Sequence, residues 1–334
     1  MKRVLSAHAP RRRRFTIVWW IMLLLVLMPG EPTQAISLFS SAKSSSSIGT
    51  LSGHELLRIG QIHDHQQHFL ETLTYYELAL SKFRERKQPR GVATALVKIA
   101  RVRERQGKPE EAYRSLQEAL PILARSPDRA AHAGALLDMG RVASRLSRGD
   151  EARDSLGQAV GLFAKAKDFR GRNEALVLLG LMRVGDGPAE AGLATLQEAY
   201  ENATARRDVE QRLTALLALG DAHCLLEETT KAREKYEDGL HLAEGEHQVP
   251  FEATFRLRLA QIDHAEGRLN EGMALSKRAL LLSQTLRDRV VEASAWSLLA
   301  EFYRQMEREP EAEEADSRAL AIYRAREIFV HGAR

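Results

Sequence analysis

The chain has 334 residues, with 49 lysines and arginines against 45 aspartates and glutamates, a formal net charge of +4. Six of the basic residues and one acidic residue lie in positions 1–35, so the remainder carries 43 basic and 44 acidic side chains. Because no basic excess remains outside that segment, the composition gives no support for nucleic-acid binding. The single cysteine, Cys224, excludes an intramolecular disulfide.

The first 35 residues have the composition of a secretory signal peptide. A basic stretch that ends at Arg11–Arg14 precedes a fourteen-residue apolar run, Phe15–Met28. Small residues at Thr33 and Ala35 predict cleavage before Ile36. The run is shorter than the ~20 residues that span a bilayer, although an inner-membrane anchor formed by residues 15–28 is the alternative. Either reading places the rest of the chain on the exported side, periplasmic or secreted.

Residues 36–52 follow as a serine-rich segment with one lysine. A segment of this composition cannot bury enough apolar surface to fold. We therefore predict a flexible linker over residues 36–52.

From residue 53 to residue 332 a unit of 40 residues is repeated seven times in register. A fixed period of this length predicts a solenoid. Two positions of the unit are occupied only by alanine or glycine, which indicates that helix backbones approach closely there. The first set is Gly60, Ala100, Gly140, Gly180, Gly220, Ala260 and Ala300, and the second is Ala79, Ala119, Ala159, Ala199, Gly239, Ala279 and Ala319.

Inside each unit the apolar positions recur at helical spacing in two segments, which predicts two helices, A and B. A turn between them is predicted at Gln67, Gly107, Ser147, Gly187, Glu227, Gly267 and Glu307.

The unit resembles the tetratricopeptide repeat family, whose pattern is met in the first repeat by Leu56, Ile59, Gly60, Tyr76 and Ala79. The resemblance implies an all-α, right-handed superhelical solenoid that binds proteins. The period of 40 is longer than the usual 34, which resembles a longer subclass of the family. We expect the additional residues to lengthen helix B and its exit, where Pro89, Pro127 and Pro250 would end helix B.

Motifs for phosphate binding, dinucleotide binding, nucleophilic catalysis and zinc binding are missing from the sequence. A cluster of His63, Asp64, His65 and His68 lacks the histidine pair at i, i+4 that helical zinc sites use. We expect no enzyme activity, no cofactor and no metal.

The family resemblance also implies that helix A lines a concave groove, and this selects the candidate partner-binding residues. Four arginines on two neighbouring A helices form a predicted basic patch, with polar neighbours on one side and apolar ones on the other. They are Arg101, Arg105, Arg141 and Arg145, then Gln61 and His65, and then Leu181, Val184 and Leu225. An acidic partner segment would match the patch, whereas internal pairing with Glu104 and Asp138 is the alternative.

Taken together, the sequence predicts a non-catalytic interaction scaffold or adaptor on the exported side of a bacterial membrane. Its partner is expected to be a protein or peptide, with no nucleic acid and with membrane contact only through an uncleaved signal segment. The alternative is a regulatory sensor of the same repeat class that binds a peptide.

The prediction that residues 1–35 are a cleaved signal peptide can be tested on the exported protein. We expect the mature protein to begin at Ile36 or close to it, because cleavage follows small residues at the end of the apolar run. N-terminal sequencing of native protein, after separation of envelope and cytoplasm, measures this. Recovery of a soluble cytoplasmic species with Met1 intact would contradict the assignment.

Overall fold

The computed structural model describes residues 50–66 and 68–331, so the predicted signal peptide and most of the linker lie outside the described residues. Over the described residues the chain forms fourteen α-helices and no strands. Their bounds are α1 Gly53–His65, α2 Phe69–Glu85, α3 Pro89–Arg105, α4 Pro109–Ala124, α5 Arg129–Arg145, α6 Gly149–Ala166, α7 Phe169–Asp186, α8 Ala189–Ala205, α9 Val209–Leu225, α10 Thr229–Gly245, α11 Val249–Ala265, α12 Leu269–Leu286, α13 Arg289–Gln305 and α14 Glu309–His331.

The helices follow one another as seven pairs, with odd-numbered A helices and even-numbered B helices. Each A helix packs along the B helix that follows it, and each B helix packs against the next A helix. Consecutive A helices also contact one another along the row, from α1 with α3 to α11 with α13. The prediction of an all-α solenoid of seven helix-turn-helix repeats is confirmed. We call the surface formed by the A helices the A-helix row.

The two helices of a pair approach most closely at the small residues. An ideal Cβ on Gly60 of α1 would lie 2.5 Å from the ring of Tyr76 in α2, and one on Gly140 would lie 2.6 Å from Leu156. Real Cβ atoms do not tolerate such distances, so glycine is required where the facing side chain is large. The alanines of the second small column are also buried: Ala79, Ala119, Ala159, Ala199, Ala279 and Ala319.

Most helices end in the same hydrogen-bonded turn. Gly107 has a left-handed backbone (φ +72°), its N–H donates to the carbonyl of Glu104 at 3.0 Å, and Lys108 N–H donates to the carbonyl of Arg103 at 2.9 Å. This Schellman arrangement satisfies carbonyls that the helix end leaves free. The same positive φ and the same pair of hydrogen bonds recur at Lys87, Ser147, Lys167, Arg207, Glu227, His247, Gly267, Arg287 and Glu307.

The end of α7 departs from this rule, and Pro188 provides the reason. Gly187, where a turn was predicted, is extended (φ −144°) and not left-handed as in the other turns, and α7 continues to Asp186. In the other described A-to-B turns the residue equivalent to Pro188 donates its N–H back to the helix. Proline has no N–H, so the Schellman turn cannot close here. The turn predicted at Gln67 lies outside the described residues.

The additional residues of the 40-residue unit lie elsewhere than expected. Pro89 and Pro250 occupy the first two positions of α3 and α11, where a missing N–H costs nothing, and they do not end B helices. Pro127 differs from them, because it lies in the connection between α4 and α5. The expectation that helix B and its exit absorb the extra length is therefore wrong. Both helices are long, with 17 residues in α3 and 16 in α4.

None of the described helices is both long enough and apolar enough to cross a membrane. The apolar run at 15–28, for which a membrane anchor was considered, lies outside the described residues.

The space around each glycine predicts opposite stability effects for two glycine-to-alanine substitutions. Gly220→Ala should destabilise the protein by roughly 1–3 kcal/mol, because the new Cβ would overlap the ring of Tyr236, which a hydrogen bond to Asp221 holds in place. Gly157→Ala, an exposed helical position with nothing within 4 Å, should stabilise it by about 0.5–1 kcal/mol. Urea midpoints measure both, and shifts of the same sign would contradict this packing.

Candidate functional site

The A-helix row carries the residues that the sequence predicts for partner binding. Gln61 and His65 of α1 are exposed, as expected. Leu225 at the end of α9 is 61% exposed, and Leu181 of α7 is partly buried. The surface of the row therefore changes from polar to apolar between the first repeats and the fifth.

The predicted basic patch is neutralised by carboxylates of the same protein. Arg101 Nε donates to Asp138 Oδ2 at 2.6 Å, and Arg141 Nη1 lies 3.5 Å from Asp138 Oδ1. Arg145 Nη1 donates to the Glu104 carbonyl at 3.1 Å and lies 3.8 Å from its Oε1. The alternative that the sequence left open, internal pairing with Glu104 and Asp138, is present in the structure.

The fourth arginine of the patch is paired as well, and Arg141 has a second partner. Arg105 is bound to Asp64 of the preceding A helix and lies over the ring of Phe69, 5.5 Å from its centroid. Arg141 also binds Glu174 on the next A helix. Four arginines thus meet four carboxylates in a continuous ladder across repeats one to four, which we call the ion-pair ladder (Asp64, Arg101, Glu104, Arg105, Asp138, Arg141, Arg145 and Glu174).

Asp138 is the buried centre of the ladder. It is 2% exposed, while Arg101 and Arg141 keep much of their surface in water. Burial raises the pKa of Asp138, and the attraction of Arg101 and Arg141 offsets this only in part. The ionised carboxylate is therefore disfavoured by desolvation more than its two partners favour it.

A cleft of about 580 Å³ opens on the A-helix row in repeats four to six. We call it the A-row cleft. Its walls combine apolar side chains with a few polar groups, which is the usual composition of a ligand pocket. The lining residues are Leu181, Asp221, Cys224, Leu225, Thr229, Tyr236, Arg258, Gln261, Ile262 and Ala265.

Hydrogen bonds fix the polar floor of this cleft. The Tyr236 hydroxyl donates to Asp221 Oδ1 at 2.7 Å, and Arg258 Nε lies 3.1 Å from the same oxygen. Burial and then the hydrogen bond to Asp221 raise the pKa of Tyr236, so its hydroxyl stays protonated. Cys224 Sγ lies 3.6 Å from that hydroxyl, and the thiol side chain is exposed. The cleft therefore combines a fixed polar cluster of Asp221, Tyr236 and Arg258 with an apolar wall.

The prediction that Val184 faces the groove is wrong. Val184 is 6% exposed and packs against Gly192 of α8, where an added Cβ would lie 2.6 Å from Val184 Cγ2. The equivalent Cys224 of the next repeat is exposed. The altered end of α7, which Pro188 imposes, accompanies this difference.

The histidine cluster near the first turn is a packing feature. His63 stacks on Tyr75 with ring centroids 5.2 Å apart, and His68 lies beside it at 5.9 Å. Among the described residues, no group of three or more histidines, cysteines or carboxylates could hold a metal ion. These rings therefore join the first two helices.

Sequence reasoning missed the partners across neighbouring A helices, Asp64, Glu174 and Arg258 among them. The partners follow a regular spacing. Arg101 pairs with Asp138, and Asp221 pairs with Arg258, each 37 positions later. The first residue of the pair is the arginine in one case and the aspartate in the other. Arg105 and Arg145 reach back 41 positions. Such offsets are readable only once the register between neighbouring repeats is known.

With this geometry in place, comparisons with known proteins identify the class of fold. Residues 91–165 match the family model of the tetratricopeptide repeat. No curated protein matches the sequence.

Solved structures extend the likeness to most of the chain. The apo form of RapI is 11% identical with a TM-score of 0.64, over 82% of this chain and 98% of that one. A Rap protein complexed with competence and sporulation factor is 17% identical with a TM-score of 0.60, over 92% and 84%. The Rap conjugation gene regulator of plasmid pLS20 in complex with the Phr* peptide is 15% identical with a TM-score of 0.57, over 97% and 88%. At such identities the likeness establishes the fold alone.

The buried carboxylate of the ladder gives a prediction with a defined pH dependence. Asp138→Asn should raise the urea midpoint at pH 7, because it removes a buried charge and leaves Arg101 and Arg141 in contact with water. The folded pKa lies above the unfolded value of 3.8, so this group reduces stability as the pH rises through that value. The advantage of the variant should therefore be greatest at neutral pH and disappear below the unfolded pKa.

Asp154→Asn, an exposed carboxylate on α6, is the control and should show no comparable pH dependence. A variant at 138 that is less stable than the parent at pH 7 would mean that arginine attraction outweighs desolvation.

Proposed function

We propose that the protein is a non-catalytic interaction module that binds an extended segment of a partner protein or peptide along the A-helix row. The A-row cleft carries this proposal, because it joins an exposed apolar wall to fixed hydrogen-bonding groups. A peptide has the matching chemistry, with apolar side chains and backbone groups that accept and donate.

The apolar wall would supply most of the affinity. Leu225 and Leu181 offer surface whose burial stabilises a complex by roughly 25 cal/mol per Å² before the costs of association are subtracted. The arginines of the ion-pair ladder are already paired, and exposed pairs are worth only ~0–1 kcal/mol each. An acidic stretch in the partner would compete with Asp64 and Glu174 and would steer the encounter more than hold the complex.

The two known roles of such modules fit this cleft to different degrees. A scaffold holds a partner chain, whereas a regulatory sensor responds to a free peptide. The Rap regulator solved in complex with the Phr* peptide has a similar fold, which favours the sensor as the second candidate. The similarity to the Rap regulator is limited to the fold. The ligand of this protein must therefore be inferred from the residues that line the A-row cleft.

Export remains part of the proposal and depends on residues 1–35 alone. A basic stretch followed by an apolar run and small residues supports an envelope location, with the repeats on the exported side of a bacterial membrane.

Peptide display against the purified protein tests the site. We expect enrichment of segments rich in apolar residues, and we expect Leu225→Asp to weaken binding of the selected peptides by at least about ten-fold, because a charge would replace the exposed apolar contact. Fluorescence polarisation with a labelled peptide measures this. Since Cys224 is the only cysteine and lines the cleft, bound peptide should also protect it from alkylation.

Leu281→Asp is the matched control, a leucine that is 54% exposed on the B helix α12. It should bind peptide as the parent does. Replacing Arg101, Arg105, Arg141 and Arg145 by serine should flatten the salt dependence with a smaller loss of affinity. Equal binding by the variants at 225 and 281, with Cys224 unprotected, would place the binding site elsewhere.

A further inference from the structure

A second cavity lies at the rim of the solenoid, where the ends of α7, α8 and α9 meet. Its volume is about 160 Å³, and it shares no lining residue with the A-row cleft. The residues that matter for its chemistry are Phe169, Arg172, Asn173, Asn202, Arg206 and Asp208. We call it the rim cavity.

Three residues that line this cavity each carry a buried polar atom with no hydrogen-bond partner among the residues that the structure describes. The three atoms are Arg172 Nε, Asn173 Oδ1 and Asn202 Nδ2. Asn173 is 3% exposed, and its amide nitrogen donates to Gln211 Oε1 at 3.4 Å. Each unpaired buried group costs about 1–3 kcal/mol, so three on residues that line one small cavity favour a bound molecule that pairs with them.

The repeat pattern shows that these polar residues depart from the usual occupants of their positions. The position of Asn173 is glycine, alanine or leucine in the other six repeats, and that of Asn202 is leucine or isoleucine in five of the other six. The fourth repeat alone carries asparagine at both positions. An apolar pair would pack here as it does in neighbouring repeats, so packing does not explain the two amides.

Among the described residues, the charged side chains that line the cavity leave one cation, Arg206, without an anion. Asp208 is bound to Arg170 at 2.9 Å and caps α9, while Arg172 reaches Glu198 at 2.5 Å. The Arg206 guanidinium carbon lies 3.1 Å from the Phe169 ring centroid, and no carboxylate of the described residues pairs with Arg206. Two unpaired donors and a free guanidinium suit an oxyanion. The unpaired Asn173 oxygen suits an N–H donor next to that oxyanion.

We propose that the rim cavity binds a small carboxylate that carries an N–H donor beside it, the chemistry of an N-acyl amino acid. The carboxylate oxygens accept from Arg172 Nε and Asn202 Nδ2, Arg206 balances the charge, and the ligand N–H donates to Asn173 Oδ1. A free metabolite and the C-terminal residue of a peptide share this chemistry.

Titration calorimetry with N-acetylglycine tests the proposal. We expect saturable binding at one site per chain, weakened by at least about ten-fold for N-acetylglycinamide, which lacks the carboxylate, and for acetate, which lacks the N–H. Acetylated tetraglycine distinguishes a peptide end from a free metabolite. If it binds more tightly than N-acetylglycine, the ligand is the C-terminal residue of a peptide. If it binds more weakly, the ligand is a free small molecule. Absence of saturable N-acetylglycine binding would overturn the proposal.

The variants Asn173→Ala and Asn202→Leu restore residues that other repeats carry at these positions. We expect each to keep or raise the urea midpoint and to lose N-acetylglycine binding. Arg206→Gln changes an exposed side chain that forms no ion pair with the described residues, and it provides the same test if a core variant fails to fold. Unchanged binding in the folded variants would overturn the assignment. Leu225→Asp should bind N-acetylglycine normally, which separates this site from the proposed peptide cleft.

Discussion

The structure depends on the close approach of helix A to helix B within each repeat. Glycine or alanine on the A helix faces a side chain that is as large as tyrosine at Tyr76 and Tyr236, or leucine at Leu156 and Leu196. Because the facing pair fills the space between two backbones, a single added methyl group displaces the partner. This contact, repeated every 40 residues, fixes the distance between helices and lets each pair stack on the next.

The fixed stacking determines which side chains meet along the A-helix row. Residues 37 positions apart, such as Arg101 with Asp138 and Asp221 with Arg258, come within 2.6 and 3.1 Å of each other. The row is therefore a surface whose charges are largely satisfied internally. Beyond the ladder the row presents Leu181 and Leu225 at the A-row cleft, and Leu225 leaves most of its apolar surface exposed.

The fourth repeat combines three departures from the pattern. Pro188 removes the N–H that closes the usual turn, Val184 is buried as a neighbour of the altered helix end, and Asn173 and Asn202 replace apolar residues. Stability alone favours the pattern of the other repeats at these positions, because unpaired buried amides are costly. Local departures of this kind are common at functional sites, where stability is traded for binding.

The sequence by itself determined the helical class, the number of repeats and the close helix contacts, because spacing and residue size act within a single 40-residue unit. It also placed most turns, since the Schellman turn depends on a few adjacent residues. Only the tertiary structure decided that Arg105 and Arg145 are paired, that Val184 is buried, and that Asn173 and Asn202 share one cavity. Those facts depend on the register between neighbouring repeats, which is set by packing between helices and not by the local sequence.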